Sequence, residues 1–317
     1  KPLPKAERVQ RRLRRFLAAR GLNEALSLRF VSRANLDRLF SEKDPRRDAV
    51  RILNPLSEEW ALLPTSPIPH LLQTVSTNAR NREEAVRYFE VAHLFAPAPE
   101  KATDKDPGVV ESDRLAMVIA GKWPEGRGDR NVDFFDLKGI LEALLRELGV
   151  PAEFRRATKQ ERYAHPYRHA EILINGVVAG EICEVHPLMR EQFEFDAMPA
   201  VICDLDYSKI VELALPQEQF TPFSRFGAVT RDLSLIVDHR IDQEEIYQKL
   251  LQIPAKNRVA LHFVESYCGQ GVPEGKRNLL YQSVYQLSDG SLTDDEVNQA
   301  QERFVAQVSA LPGVEVR

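Results

Sequence analysis

The chain has 317 residues, with 43 lysines and arginines against 47 aspartates and glutamates, for a net charge of −4. That length exceeds one ordinary domain and fits two, of roughly 200 and 100 residues, and the charge gives no global signature of nucleic-acid binding. No long apolar run or charged-then-apolar leader occurs, so neither a membrane span nor a secretion signal is expected; three scattered cysteines without C-x-x-C spacing argue against disulfides and zinc and fit a reducing cytoplasm.

Leu3 to Gly21 is predicted as a helix closed by its glycine. Val9, Leu13, Phe16 and Leu17 form its apolar stripe, and Arg8, Arg11, Arg12, Arg14 and Arg15 its opposite face. That basic face has two readings, a solvated surface or a contact with phosphate or a partner chain. Glu24 to Phe30 reads as a strand entering the core, Ser32 caps a short helix through Phe40, and Val50 to Leu53 reads as a strand stopped by the turn dipeptide Asn54-Pro55. Pro67 opens a helix burying Leu71, Leu72 and Val75, and Val86 to Phe95 is the next apolar strand. After a surface loop from Ala96 to Ser112 come an apolar run at Leu115 to Ala120 and a helix from Asp133 to Leu148. Strands follow near Ala170 to Ile174, Val177 to Val185 and Ala200 to Asp206, with Asn175-Gly176 as a hairpin turn. Long strands with few helices imply an α+β domain built on an antiparallel sheet. It spans 1–207, residues 208–217 are a linker, and the second domain spans 218–317.

In the second domain, Asp232 to Asp238 alternates as a half-buried strand, and Asp242 caps a helix with Ile246, Leu250 and Leu251 on one face. A strand at Arg258 to Tyr267, a loop carrying Gly269, Gly271, Pro273 and Gly275, and a strand at Asn278 to Gln286 make a hairpin. Thr293 and Glu296 form a capping box for a helix burying Val297, Ala300, Phe304 and Val308, and Val314 to Val316 is the last strand. The order βαββαβ is ferredoxin-like.

Elementary chemistry is sparse. His165 and His169 have i, i+4 spacing, but Pro166 opposes a helix and no third ligand is evident, so no metal site is expected. Glu181 and Glu184 point to opposite faces of a strand, while Asp204 and Asp206 share a face, read as solvated. The G-x-G of Gly269 to Gly271 lies between strands, which is not a nucleotide fingerprint.

The phrases Arg231-Asp-Leu-Ser-Leu-Ile-Val237, Gly269-Gln-Gly-Val-Pro-Glu-Gly-Lys276 and Leu292-Thr-Asp-Asp-Glu-Val297 come in this order and at this spacing. Together they resemble the ferredoxin-fold anticodon-binding domain that closes the bacterial phenylalanyl-tRNA synthetase beta chain. Upstream, Asn54-Pro-Leu-Ser57, Thr65-Ser66 with Leu71-Leu72, Tyr88-Phe-Glu-Val91, Phe134-Phe-Asp-Leu-Lys-Gly139, His165-Pro-Tyr-Arg168 and Gly180-Glu-Ile-Cys-Glu-Val-His-Pro187 are similar to the same chain's class II synthetase-like region. The likeness covers nearly the whole sequence, which looks like a C-terminal part of that subunit. Where the family has Met-Arg before Thr-Ser, this chain has Leu63-Pro64.

The resemblance implies a non-catalytic scaffold that packs on a catalytic alpha subunit in an alpha2beta2 heterotetramer. It also implies a domain that binds the anticodon region of tRNA(Phe), in a cytoplasmic enzyme joining phenylalanine to tRNA with ATP and Mg2+. No cofactor is expected on this chain. Active class II cores hold ATP with an arginine two residues before a glutamate; Tyr88 fills that position before Glu90, and Gly180 to His186 brings no late arginine. The residues expected at tRNA are Arg225, Arg231, Lys276 and Arg277 for phosphates, with Phe226 or Tyr281 as base-stacking surfaces. Two other readings remain open: an autonomous ATP-dependent class II-like ligase with a ferredoxin-like regulatory domain, and an assembly module without RNA contact.

Overall fold

In the computed structural model, which describes residues 3–101, 108–125, 128–215 and 223–317, the chain divides into units 1–218 and 219–317. The first opens with α1 (Lys5–Ala19), whose stripe Val9, Leu13 and Leu17 is fully buried. It continues through β1 (Asn23–Glu24), α2 (Arg33–Leu39), α3 (Ile68–Arg80), β2 (Ala85–Pro97), β3 (Val109–Glu125), β4 (Gly128–Asn131) and α4 (Phe134–Leu148). Then come β5 (Glu153–Arg156), β6 (Ala164–Ile174), β7 (Val177–Val185), α5 (Pro187–Gln192), β8 (Ala200–Asp206) and α6 (Tyr207–Leu213). Local chemistry sets the joints. Asp133 and Asp136 form a capping box at α4, Gly149 closes it at φ 70°, and Asn175 and Gly176 turn β6 into β7 with φ of 51° and 72°.

The strands form a sheet in the order β1-β2-β3-β8-β7-β6-β5, with β4 on β3. Its neighbours are antiparallel except β1 and β2. Both faces are covered. Leu115, Met117, Ile119 and Ile182 pack with α1, α4 and α6 in one core, and Ala116, Val118, Val185 and Ile202 pack with α2, α3 and α5 in the other. Strand β8 therefore reads as a near-continuous apolar run, buried at every position up to Leu205. A side chain at Gly180 would place its Cβ 2.1 Å from the Asp204 carbonyl oxygen, so only glycine lets β7 approach β8 there.

The second unit comprises β9 (Val229–Asp238), α7 (Gln243–Gln252), β10 (Arg258–Tyr267), β11 (Lys276–Tyr285), α8 (Asp294–Val308) and β12 (Val314–Val316). The sheet order β10-β11-β9-β12 is the ferredoxin-like one. Leu233, Leu235, Val237, Leu279 and Tyr281 meet Ile246, Leu250, Phe304 and Val308 from the two helices. No described helix is long and apolar enough to cross a membrane.

Four expectations need correction. Past Glu24 the expected strand leaves the sheet, and Leu26 and Leu28 are 93% and 60% exposed instead of entering the core. Val50 to Leu53 makes only an isolated bridge, Arg51 to Leu62, with Leu53 in solvent. Leu251 lies outside the α7 stripe, at 44% exposure. The linker does not start at 208: α6 occupies Tyr207–Leu213, buries Ile210 and Ala214 in the first core, and Leu215 N–H donates to the Leu148 carbonyl at 2.7 Å. Residues 216 and 217 lie outside the described ones.

Candidate nucleic-acid interface

A strand sends alternate side chains to opposite faces, so the register of β9 on β11 decides which residues of the second unit are available. Leu233, Leu235 and Val237 on β9, and Leu279 on β11, turn toward the helices. The opposite face receives Asp232 and Ser234 from β9 and Asn278 and Gln282 from β11. There Gln282 Nε2 donates to Asp232 Oδ1 at 3.1 Å, and Ser234 Oγ to Asn278 Oδ1 at 2.7 Å. Tyr267, 44% exposed, pairs with Asn278 on this face. Amides, a hydroxyl and an exposed ring make a surface able to hydrogen-bond base edges and stack bases. Lys276, at its rim, pairs with Glu315 at 3.3 Å and stays exposed.

The residues expected from sequence separate on this test. Arg225 is exposed. Phe226 is half-buried; its N–H donates to Ser224 Oγ and its carbonyl accepts from Gln286. Three others need correction. Arg231 faces α8, donating to Asn298 Oδ1 at 3.0 Å and to Asp294 Oδ1 at 2.8 Å, so it ties strand to helix. Arg277 is half-buried and donates to the Ile241 carbonyl instead of standing as a free point charge. Tyr281 is fully buried, stacked on Tyr247 at 6.2 Å and edge-on to Phe263 at 5.5 Å. Burial pushes its hydroxyl up to about 12, and no base can reach it. Sequence held the signal: Arg231 has the parity of Leu233, and Arg277 and Tyr281 that of Leu279. The opposite parity marks Asn278 and Gln282, which sequence reasoning missed.

The first unit carries a second candidate. On the sheet face shared with α2, α3 and α5 lies a cavity of about 460 Å3, lined by Arg46, Arg114, Glu161, His169, Glu181 and Asp204 among others. Arg46 Nη2 bonds Asp44 at 2.7 Å and Glu161 at 2.8 Å, its Nη1 donates to Tyr163 Oη at 3.0 Å, and it lies over the Phe40 ring. Its bonds hold the Asp44 carboxyl well below the usual carboxylate range. Tyr163 Oη and His169 Nε2 both donate to Glu181, and Arg114 Nε donates to Asp204 at 2.6 Å. Burial raises Asp204 despite that arginine. Asp204 is thus nearly buried, not on a solvated face, because Arg114 reaches it from the next strand. As expected, Glu181 and Glu184 diverge, Glu184 pairing with Arg168. His165 Nδ1 accepts from Tyr167 N–H at 3.2 Å, and among the described residues no three metal-ligating side chains converge. Glu90 accepts from the Ser27 N–H and hydroxyl at 3.0 and 2.6 Å, so it anchors the chain after β1. Each arginine of the cavity is committed to carboxylates, so a triphosphate would have to displace buried ion pairs to bind.

Sequence comparison agrees with the division into units. The model for the phenylalanyl tRNA synthetase beta chain CLM domain matches residues 1–207, and that for the ferredoxin-fold anticodon binding domain matches residues 224–317. The phenylalanine–tRNA ligase beta subunit of Syntrophotalea carbinolica is 33% identical over 99% of this chain and 39% of its own length. That of Moorella thermoacetica is 34% identical over 98% of this chain and 38% of its own, and that of Symbiobacterium thermophilum is 32% identical over 96% and 34%. The chain therefore spans less than two fifths of the length of these curated relatives.

Proposed function

The chain belongs to the phenylalanyl-tRNA synthetase beta-chain family, and we propose that it serves as the non-catalytic part of a phenylalanine–tRNA ligase. In this reading the first unit docks on a catalytic alpha subunit, within an alpha2beta2 cytoplasmic enzyme. The second unit binds the anticodon region of tRNA(Phe), and ATP and Mg2+ are used in alpha. The ordered succession of the two matched domains carries the reading. Two features of the molecule support it. Leu26, Leu28, Leu53 and Leu56 stand 60–99% exposed on the first unit, apolar area that a partner chain would remove from water. The cavity arginines are tied to carboxylates, which leaves an adenylate without bidentate partners.

For tRNA we place contact on the helix-free face of the second unit, with Tyr267, Asn278 and Gln282 toward bases and Lys276 and Arg225 toward phosphates. Arg231 and Arg277 serve the fold. The experiment is co-purification with a matching alpha chain, followed by tRNA titration at several salt concentrations. Lys276→Ala should flatten the salt dependence by roughly 0.7–0.9 of a log unit, the effect of one fewer cation on a phosphate, while phenylalanine activation stays unchanged. Failure to recruit alpha, or equal salt slopes in wild type and variant, overturns the corresponding half of the reading.

A further inference from the structure

The first unit's cavity contains polar atoms that its own network leaves unused, one of which, His169 Nδ1, is buried. Arg114 donates through Nε to Asp204 Oδ1 and through Nη2, at 3.5 Å, to the Asp204 carbonyl; among the described residues its Nη1 has no partner. Asp204 Oδ2 likewise accepts no hydrogen bond from the described residues. His169 is 8% exposed; its Nε2 is bonded to Glu181 and its Nδ1 is buried without a partner. Asp204 and Glu181 sit directly opposite each other on β8 and β7, and Glu181 opposite Glu171 on β6. Like charges so placed repel, and Arg114, Arg46 and Arg155 offset this from the margins. The cavity thus presents an unused cationic donor next to an unused carboxylate oxygen.

That pattern selects a ligand with the complementary pair. A triphosphate or other polyanion meets four lining carboxylates, Glu161, Glu171, Glu181 and Asp204, against Arg46, Arg114 and Lys159. A simple amine satisfies the carboxylates but leaves the Arg114 fork half used. We propose that this cavity binds a free α-amino acid as the zwitterion, its carboxylate on Arg114 and its ammonium between Asp204 and Glu181. Neighbouring strands about 4.8 Å apart put those two carboxylates within reach of one ammonium group. The cavity's volume is that of a small-ligand site, and Leu94 and Val178 give the side chain an apolar wall. Gly180 keeps the floor open, since no side chain fits between β7 and the Asp204 carbonyl.

Calorimetric titration of the full chain with each of the twenty free L-amino acids, up to about 10 mM, tests this. Acetate and methylammonium serve as single-charge controls. At least one amino acid should bind about tenfold or more tighter than either control, and Arg114→Gln and Asp204→Asn should each weaken it by about tenfold or more. Absence of amino-acid binding beyond the controls overturns the proposal, as does unchanged affinity in folded variants. If the variants do not fold, backbone amide shifts in the wild-type chain decide: perturbation centred on His169, Glu181 and Asp204 supports the site, and perturbation elsewhere refutes it.

Discussion

On the eight-stranded sheet, Arg46 and Arg114 stand over Glu161, Glu181 and Asp204, each bonded to a carboxylate in a mostly buried pocket. On the helix-free face of the four-stranded sheet, Ser234, Asn278, Asp232 and Gln282 bond one another in pairs and remain half-buried or exposed. The two sheets spend polar side chains on different tasks. In the first unit each cavity arginine already bonds a carboxylate, so these polar groups mainly hold the fold and few donors are left to grip a nucleotide. In the second, amides, a hydroxyl and the Asp232 carboxylate have unused lone pairs and protons next to solvent, which a partner's polar edges can reach. Buried charge is costly to disturb and exposed amide is not, so the two regions should part most clearly under substitution.

The largest separation is expected at Arg46. Removing it as Arg46→Ala strands Asp44, which is nearly buried, together with Glu161, and should cost about 3–5 kcal/mol in urea unfolding. Lys276→Ala on the second unit should cost under about 1 kcal/mol, because the Lys276–Glu315 pair is exposed on both sides. A destabilisation below about 1 kcal/mol at Arg46 would break the contrast.

Two tyrosines sharpen it within one unit. Tyr281→Ala empties a fully enclosed site between Tyr247 and Phe263 and should cost about 3–5 kcal/mol. Tyr267→Ala should leave stability within about 0.5 kcal/mol and lower tRNA affinity instead. If Tyr267→Ala leaves tRNA binding intact, the face is wrongly placed.

Titration separates the first unit further. Burial pushes the Glu171 carboxyl up, but the Thr158 hydroxyl and Arg155 outweigh it and bring it from 4.5 down to about 2. A carboxyl lowered on folding contributes stability that is complete above its unfolded value and lost as pH falls through the folded one. The gap between wild type and Glu171→Gln, on the order of 1 kcal/mol after solvent screening, should therefore hold above pH 4.5 and close toward pH 2. A gap that persists into acid would show that Glu171 acts through packing.

Much of this was legible beforehand. Ser32 and Thr293 cap where the sequence places them, because capping is local, while Asp242 stands at the start of α7 without a side-chain cap bond. The ferredoxin-like order was readable from period and turn residues. Leu26 and Leu28 misled because alternation announces a strand without saying whether its apolar face meets core or a partner. Ser208 to Leu213 looked like linker because a seven-residue helix has too few turns to show a period, and only its packing on the first core fixes it. The cavity was hidden for a stronger reason: Arg46, Glu161 and Asp204 are far apart in sequence, and no local pattern joins them. Arg114 alone gave a sign, as a cation with the parity of Ala116 and Val118 in a buried strand.

The smallest effect has the opposite sign from Glu171. His93 on β2 faces Asp113 and, diagonally, Glu111 on β3, with Nδ1 2.7 Å from Asp113 Oδ1 and Nε2 2.7 Å from Glu111 Oε2. A neutral imidazole has one N–H and can donate to only one of these carboxylates, so the imidazolium is the form that satisfies both. The Asp113 bond, followed by that of Glu111, raises His93 above its ordinary value of 6.5 in spite of partial burial. A group raised on folding contributes stability that is complete below its unfolded value and lost as pH climbs through the folded one. Wild type should exceed His93→Gln by under about 1 kcal/mol at pH 5, since the carboxylates are exposed, and the difference should vanish at alkaline pH. Urea midpoints of the two proteins from pH 5 to 9 measure it. A difference that grows with pH, or does not change, means that His93 is held neutral by its packing against Phe95, whose ring centroid lies 4.9 Å away, and that the charge pairing is incidental.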